Sequence, residues 1–574
     1  MKKKLISTST TGPYAFQDPD TMLILVKDVL LYSDREGIVA SGNAPDRMIV
    51  INGELTAGGT GIVFGSGAAG DIHGSVVVSG TGAINAQRAG ITAIADGMEI
   101  INRGGISAKL TGVIVTGAGA QITNEGSITS GASNAIDIHG AKSMIVNNGA
   151  IDGTKDTILV AGDRANVTNN GRIGSTTADA IHLTGAKGLV TNNGTIGNKG
   201  DGIFVSGTAD TITNNGKIGS GGSAIIARGK DQIVTNSGAL NAGKDGIALV
   251  GDEGIVTNRK SIEVGGVALR IAADDAIVNN TGSAKGAIGL LVTGAHVDAA
   301  NRGTIFGWKG AAVDLSKASG GTFDNAGTLI SASGATLVGG QGKQTIVNSG
   351  TIKGDVDLYG SNDYFDNRGG VVMGHIAGGK GNDTYVIDDA KTLLLEAANG
   401  GHDTVQSTKS YTLGANFEVL TLIGHGTING AGNAANNGLN GNDAANMLNG
   451  MGGKDTLWGG LGADILTGGT GADQFVFKAV EESTLRHPDV ITDFSRKEGD
   501  RINLSAIDAN TLRPGDQTFH FIGEKEFHKK AGELHVDYAK GATVLSGDVN
   551  GDGKADFAIK LQGHLTFDNG SFIL

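Results

Sequence analysis

Val190-Thr-Asn-Asn-Gly-Thr-Ile196 is one copy of a motif that recurs along much of the chain. In most copies an asparagine lies one or two residues before a glycine. In the best-matching copies, successive asparagines are 22 or 23 residues apart. These asparagines are Asn124, Asn147, Asn169, Asn192, Asn214, Asn236 and Asn258, with weaker copies at Asn52, Asn348 and Asn367. A fixed period of this size is typical of a solenoid, in which each repeat forms one coil stacked on the next.

The segments between the Asn-Gly turns alternate apolar and polar residues, as in Ala180-Ile-His-Leu183 and Gly202-Ile-Phe-Val205. Alternation of this kind indicates strands with one buried face. Two or three short strands per period predict a right-handed parallel β-helix with Ile and Val inside. The asparagines are expected to stack into a ladder of side-chain amides, and the following glycine is expected to supply a positive φ at the turn.

The composition agrees with an all-β solenoid and excludes several other classes. The chain has 574 residues with 98 Gly, but it has 5 Pro and none between Pro45 and Pro488, so long β-ladders can run uninterrupted. It has no Cys, which excludes disulfides and thiolate–zinc sites. The net charge of −13 favours cations and disfavours nucleic acid as partners. No apolar stretch is long enough to predict a transmembrane helix.

A second repeat begins near residue 450. Three contiguous nonapeptides follow the pattern G-G-x-G-x-D-x-U-x, where U is a large apolar residue: Gly450–Trp458 with Met451 at the second position, Gly459–Thr467 and Gly468–Val476. A separate copy is Gly378–Val386, and a degenerate one is Gly441–Asn449. Here the chain resembles the RTX (repeats-in-toxin) family, whose nonapeptides bind several Ca²⁺ ions in a parallel β-roll.

Gly allows backbone carbonyls to converge and Asp supplies a carboxylate, and such hard oxygens are the ligands that Ca²⁺ prefers. The resemblance implies that two nonads form one coil, with Asp455 above Asp473 on one side and Asn446 above Asp464 on the other. Two stacked carboxylates about 6 Å apart would repel by roughly 3 kcal/mol at an effective dielectric near 20, so calcium would trigger folding. The alternative is a metal-free array of Gly-rich turns. The predicted calcium-site residues are Asp383, Asn446, Asp455, Asp464, Asp473, Gly450, Gly453, Gly459, Gly462, Gly468 and Gly471.

A further calcium loop is predicted at residues 548–556. Asp548, Asn550, Asp552 and Asp556 place oxygen side chains at positions 1, 3, 5 and 9, with Gly553 at position 6. The acidic residue expected at position 12 is replaced by Ile559, so the loop is not a complete EF-hand, and a solvated acidic turn is the alternative.

The residues after the nonads resemble the C-terminal domain of serralysin-type secreted metalloproteases. The resemblance covers about residues 373–574 and includes Asp489-Val-Ile-Thr-Asp-Phe494 and Gly499-Asp-Arg-Ile-Asn-Leu504. It implies an uncleaved C-terminal signal for type I secretion, and the N-terminus lacks the apolar stretch of a Sec signal peptide. The predicted domains are an N-terminal cap at 1–45, the β-helix at 46–372, the calcium-binding roll at 373–476 and a serralysin-like domain at 477–574.

No catalytic motif is recognisable. No His is followed by Glu, which excludes the H-E-x-x-H motif of a serralysin protease. Since parallel β-helices also host polysaccharide lyases and epimerases, such an enzyme is the alternative function, although His139 and His182 are expected to face solvent or stack between coils. The sequence favours a secreted or surface-associated structural or adhesive protein. Its expected partners are calcium, the type I secretion machinery, and surface glycans or further copies of the chain.

Overall fold

The computed structural model describes residues 1–42, 45–65, 73–539 and 541–574, so residues 43 and 44 of the predicted N-terminal cap lie outside the described part. Regular structure in these ranges is strand, apart from the 3₁₀ helices Val480–Glu482 and Asn569–Ser571. This confirms the predicted all-β class. The chain divides into two compact units, Met1–Thr322 with Gly327–Leu337 and Phe323–Ala326 with Val338–Leu574. The four predicted domain ranges stay predictions.

The first unit is a parallel β-solenoid with three strands per coil, one on each of three faces. The first face comprises Lys2–Ile6, Thr21–Leu25, Arg47–Ile51, Gly74–Val78, Glu99–Asn102, Gln121–Asn124, Met144–Asn147, Asn166–Asn169, Leu189–Asn192, Thr211–Asn214, Ile233–Asn236, Ile255–Asn258, Ile277–Asn280 and Val297–Asn301. The second face comprises Thr10–Thr11, Leu30–Ser33, Glu54–Ala57, Ala83–Ala86, Gly105–Ala108, Ser127–Ser130, Ala150–Gly153, Arg172–Ser175, Thr195–Asn198, Lys217–Ser220, Ala239–Ala242, Ser261–Val264, Ser283–Gly286, Thr304–Gly307 and Thr328–Ser331. The third face comprises Tyr14–Phe16, Ile38–Ala40, Ile62–Phe64, Ile91–Ala93, Val113–Val115, Ile136–Ile138, Ile158–Val160, Ile181–Leu183, Ile203–Val205, Ile225–Arg228, Ile247–Val250, Val267–Ala272, Ile288–Val292 and Val313–Asp314.

The core of this unit consists of columns of aliphatic side chains, one from each coil. Val190 pairs with Ile212 in register on the first face, and both are fully buried. On the third face Ile181 and Leu183 point inward while His182 between them is half-buried on the outer side. Fully burying one such aliphatic side chain is worth about 1.5–3 kcal/mol, so the repeated Ile and Val positions stabilise every coil in the same way.

The predicted asparagine ladder is confirmed. From Asn102 to Asn301, each side-chain Nδ2 donates to the Oδ1 of the equivalent asparagine in the next coil, at 2.7–2.8 Å. All of these residues are at most 1% exposed. Apart from Asn102 Oδ1 at the start of the column, these buried amide groups therefore satisfy one another.

The role predicted for the glycine after the asparagine is wrong. In the first unit, Gly194 and its equivalents do not have a positive φ; the left-handed residue of most coils instead lies two residues before the first-face strand, such as Lys187 with φ 58° before Leu189–Asn192. A Cβ on Gly194 would collide with the backbone of Asn170 and Gly171 in the preceding coil. At Gly194 the two backbones therefore approach too closely for a Cβ, although Lys260 occupies the equivalent position in the coil of Asn258.

The second unit begins with three-sided coils and continues as a two-sided roll. Its first sheet comprises Gln344–Asn348, Tyr364–Asp366, Thr384–Ile387, Thr404–Ser407, Val419–Leu422, Gly438–Asn440, Thr456–Trp458, Gln474–Val476, Arg501–Asn503 and Phe572–Ile573. The other two faces of the early coils comprise Thr351–Lys353, Val371–Val372, Val356–Asp357, His375–Ala377 and Leu393–Leu395. The strands Gly321–Asn325 and Leu337–Val338 contain residues of both units.

From Thr404–Ser407 onward each coil has two strands. The second sheet of the roll comprises Tyr411–Thr412, Gly430–Ala431, Met447–Asn449, Ile465–Thr467 and Val490–Ile491. It continues through Phe557–Gln562, Ala542–Asp548, Glu533–Ala539 and His520–Gly523, of which the first three pair antiparallel. Met447 pairs with Ile465 and Thr456 with Gln474, so like positions of the nonads stack every 18 residues.

Candidate metal centre

The acidic residues of the nonads stand directly before the short strands of the roll, where the turn ends. Asp455 precedes Thr456–Trp458 and Asp473 precedes Gln474–Val476 in the first sheet, while Asp464 precedes Ile465–Thr467 in the second. The apolar residue of each strand, such as Leu457, is fully buried. This anchoring of the strand fixes the position of the aspartate beside it.

Each aspartate is held by the coil before it. The Asn437 N–H donates to Asp455 Oδ1 at 2.7 Å, Asp455 N–H to Asp473 Oδ1 at 2.9 Å and Asp473 N–H to Asp500 Oδ1 at 2.9 Å. The structure therefore confirms the expected stacking of Asp455 on Asp473.

The same arrangement occurs on the opposite sheet. Asn446 N–H donates to Asp464 Oδ1 at 2.7 Å, and Asp464 N–H donates to Asp489 Oδ1 at 2.8 Å. The stacking of Asn446 on Asp464 is likewise confirmed. Sequence reasoning missed Asp489 and Asp500, which extend the two columns, because neither follows a Gly-rich nonad; the signal was the acidic residue directly before a short apolar strand.

Among the described residues of these two columns, four aspartates have a second carboxylate oxygen without a hydrogen-bond partner. Asp455, Asp464, Asp473 and Asp489 are at most 1% exposed, and the Oδ2 atom of each is buried with no hydrogen-bond donor. A buried, unpartnered carboxylate oxygen is strongly unfavourable unless a cation or a proton neutralises it. These orphaned oxygens therefore fit the calcium that the nonad resemblance implies.

The first glycine of each nonad leaves the space in which these oxygens lie. A Cβ on Gly450 would collide with Asp455 Oδ2 and with the carbonyl oxygen of Gly468 in the following coil. A Cβ on Gly459 would likewise collide with Asp464 Oδ2, and one on Gly468 with Asp473 Oδ2. At Gly450, a carboxylate oxygen and a backbone carbonyl oxygen thus converge on the space that a side chain would fill, and both are hard oxygen ligands.

The fourth position of each nonad requires glycine for a different reason. Gly453, Gly462 and Gly471 have φ of 116°, 140° and 139°, a backbone conformation that residues with a Cβ rarely adopt. The second position is also left-handed, and there Met451 has φ 75° where Gly460 and Gly469 have 87° and 96°. Met451 therefore adopts a strained conformation.

Burial raises the pKa of the column carboxylates. Burial, together with a smaller effect of neighbouring carboxylates, raises the pKa to about 7 for Asp455, to about 6 for Asp464 and to about 8 for Asp489. The backbone N–H that each accepts acts in the opposite direction. A carboxylate at such a position is either protonated or stabilised by a cation.

The separate nonad Gly378–Val386 has its own column. Asp363 N–H donates to Asp383 Oδ1 at 2.7 Å, and Asp383 N–H donates to Asp403 Oδ1 at 2.8 Å. Asp363 and Asp403 were not identified from the sequence, and the Oδ2 atoms of all three are buried without a donor. Asp383 is therefore placed like the nonad aspartates of the main run.

The predicted loop at 548–556 joins two antiparallel strands and has a different arrangement. Asp548 accepts the N–H groups of Gly551 at 2.6 Å and Gly553 at 2.9 Å, and Asp556 Oδ2 accepts the Val549 N–H at 2.7 Å. Asn550 Nδ2 donates to Asp556 Oδ1 at 2.6 Å. The loop brings the predicted residues together, but these oxygens bond to the loop's own groups, and calcium binding there stays a prediction.

One cluster on the solenoid joins histidine and acidic residues. On the outer side of the third face, His182 Nδ1 lies 3.0 Å from Asp156 Oδ2 and 3.6 Å from Asp179 Oδ2. The hydrogen bond to Asp156 raises the pKa of His182. The ring of Phe204 packs edge-on against the imidazole, with the ring centres 4.6 Å apart. His139 lies beside Asp137 at 3.2 Å and is exposed.

Comparison with known proteins agrees with this architecture. The family model for the Peptidase M10 serralysin C terminal matches residues 310–574. The endo-1,3-1,4-beta-glycanase ExsH of Rhizobium meliloti (strain 1021) is 44% identical over 64 residues, which span 11% of this chain and 14% of that protein. Among the described helices, none has the length and apolar character needed to span a bilayer. Residues 310–574 thus match the serralysin C-terminal family, in a chain whose first unit is a parallel β-solenoid.

Proposed function

We propose that this chain is a secreted calcium-binding protein in which the roll folds when it binds calcium outside the cell, and in which the solenoid has a structural or adhesive role. The observation that carries the calcium proposal is the set of buried, unpartnered Oδ2 atoms of Asp455, Asp464, Asp473 and Asp489. Without a cation, these carboxylates oppose folding. Calcium outside the cell would neutralise them, and the binding free energy would become folding free energy.

The structural or adhesive role is supported by the regularity of the solenoid. Its coils repeat the same three short strands and the same ladder amide from Asn102 to Asn301. Such a unit presents long, even faces, and extended faces of this kind serve solenoid proteins as binding surfaces. Surface glycans and further copies of the chain are the partners that we propose for these faces.

Export is proposed to follow the type I route, because residues 310–574 match the serralysin C-terminal family. A chain that stays unfolded at low calcium could pass a narrow channel and fold on the far side. A secretion assay on the full chain and on a chain lacking residues 477–574 tests this route. Equal export of both chains would contradict it.

The calcium proposal is tested on the full chain with Asp473→Asn. Asparagine keeps an Oδ1 acceptor for the Asp455 N–H but removes the charge, so we expect about tenfold weaker calcium binding, or about 1.4 kcal/mol. Asp516→Asn is the matched control, since that carboxylate is exposed. Circular dichroism and thermal unfolding with calcium and with chelator provide the readout. A wild-type chain whose β content and melting temperature do not change on chelation would refute the proposal.

A polysaccharide lyase or epimerase is the second candidate function, and the cluster around His182 favours it. Two carboxylates, an imidazole and the Phe204 ring on one outer face are groups that such an enzyme uses for proton transfer and sugar stacking. The test is incubation with alginate, pectin and related acidic glycans, following the absorbance of unsaturated products. Turnover that is lost in His182→Ala and kept in His139→Ala would establish the enzyme, and no turnover by the wild type would exclude these substrates.

A further inference from the structure

Three acidic side chains meet in the second unit away from the contiguous nonads, and we call Asp383, Glu396 and Asp403 the Glu396 cluster. Asp383 precedes the strand Thr384–Ile387, Asp403 precedes Thr404–Ser407, and Glu396 directly follows Leu393–Leu395. One carboxylate oxygen from each residue lies within 4.8 Å of those from the other two. Glu396 belongs to no nonad, so the repeat pattern does not account for its position.

Two of these carboxylates are buried with an oxygen that has no donor. Asp383 is 1% exposed and Asp403 is fully buried, and each uses Oδ1 to accept a backbone N–H while Oδ2 has no hydrogen-bond partner. Glu396 is half-buried and accepts the Gly379 N–H at 3.4 Å and the hydroxyl of Tyr385. Two buried oxygens thus remain unneutralised beside a third carboxylate.

Gly378 leaves the room in which the cluster converges. A Cβ at this position would collide with Asp383 Oδ2, with the Tyr385 hydroxyl and with Glu396 Oε1 at the same time. Three oxygens therefore surround one small space. Irregular sets of carboxylate and other hard oxygen ligands suit Ca²⁺, which tolerates variable geometry, better than Mg²⁺ or Zn²⁺.

We propose that Asp383, Glu396 and Asp403 together bind one calcium ion, in addition to the ions of the contiguous nonads. Burial and the neighbouring carboxylates raise the pKa of Glu396 to about 7 and of Asp403 to about 6. In the described residues, Leu393–Leu395 is the last strand of the third face, and the coil that starts at Thr404–Ser407 is the first whose second strand belongs to the second sheet of the roll. The ion fixes the chain where the three-sided coil becomes the two-sided roll.

The test is equilibrium dialysis of the full chain against calcium alone, with the number of bound ions measured by atomic absorption. Glu396→Gln keeps the size of the side chain and removes its charge, and we expect it to bind one ion fewer, or that ion at least tenfold more weakly. Glu481→Gln is the matched control, because that side chain is exposed. An unchanged number of ions and unchanged affinity in Glu396→Gln would overturn the proposal.

A second measurement separates a metal ligand from a residue that only supports the fold. Thermal unfolding of Glu396→Gln is expected to show a lower melting temperature than wild type with calcium, but an equal or higher one with chelator, because one repelling charge is gone. A lower melting temperature in both conditions would also overturn the proposal. Asp473→Asn, measured in parallel, reports on the contiguous nonads. If Asp473→Asn loses an ion and Glu396→Gln does not, the site at Asp383, Glu396 and Asp403 is refuted, while the proposed function is left intact.

Discussion

Replacing Asn192 by alanine should remove one member of the asparagine ladder and destabilise the coils around it. Asn192 is fully buried; its Nδ2 donates to Asn214 Oδ1 at 2.7 Å, and its Oδ1 accepts from Asn169 Nδ2 at 2.7 Å. Alanine leaves Asn214 Oδ1 without its donor and leaves Asn169 Nδ2 with a long contact of 3.5 Å to the Thr195 carbonyl. At about 1–3 kcal/mol for each, we expect a loss of about 4 kcal/mol.

The matched control is Asn193→Ala. Asn193 is the next residue, is exposed, and makes an equivalent amide bond to Asn170 at 2.8 Å in full contact with water. Exposed substitutions of this kind usually change stability by less than about 0.5 kcal/mol. The two variants therefore share the chemical change and differ in burial alone.

Guanidinium unfolding at saturating calcium gives the stability difference, and hydrogen exchange followed by mass spectrometry shows where the loss occurs. In a solenoid each coil contacts its neighbours alone, so faster exchange should be concentrated in the strands near Asn192. Equal destabilisation by Asn192→Ala and Asn193→Ala would refute the reasoning, since burial would then contribute nothing.

Three further predictions concern the roll. Met451→Gly should raise the calcium-loaded melting temperature, with a gain of about 1 kcal/mol, because Met451 has φ 75° and is 46% exposed, so little buried contact is lost. Gly471→Ala should cost about 2 kcal/mol or more and weaken calcium binding in dialysis, because Gly471 has φ 139° and a Cβ would collide with the Gly453 carbonyl. In chelator, the raised pKa of Asp489, about 8, means that the folded form holds a proton that the unfolded form releases. That stabilisation is complete below pH of about 4 and is lost as the pH rises through about 8. Melting temperatures in chelator should therefore fall from pH 5 to pH 8, and this fall should be less steep in Asp489→Asn.

The solenoid could be predicted from sequence because its signal is local and repeated. A motif such as Val190–Ile196 contains a strand, a turn and the ladder asparagine in seven residues, and its period gives the coil. The physical reason for the glycine at position 194 could not be predicted from the repeat motif. Gly194 is constrained by the backbone of the preceding coil, and that contact depends on the stacking distance rather than on the turn.

The candidate metal site could likewise be predicted in part from the sequence. Asp455, Asp464 and Asp473 were identified because Gly-rich turns precede them. Asp489 and Asp500 were missed because the segments before them are longer and lack the glycines, although both stack on the columns through the same amide bond. Sequence spacing shows a repeat, but only the register of the strands shows which irregular segment continues it.

The backbone amides of the nonad aspartates give the roll a direction. Each amide is satisfied by the carboxylate of the coil that follows it in sequence, from Asn437 to Asp455 to Asp473 to Asp500. The final acceptor is held independently, since Asp500 Oδ2 also accepts the Ser495 N–H at 2.8 Å. These amides of a coil lack an acceptor until the coil on its C-terminal side is in place. The roll should therefore fold coil by coil, from its C-terminal end towards its N-terminal end.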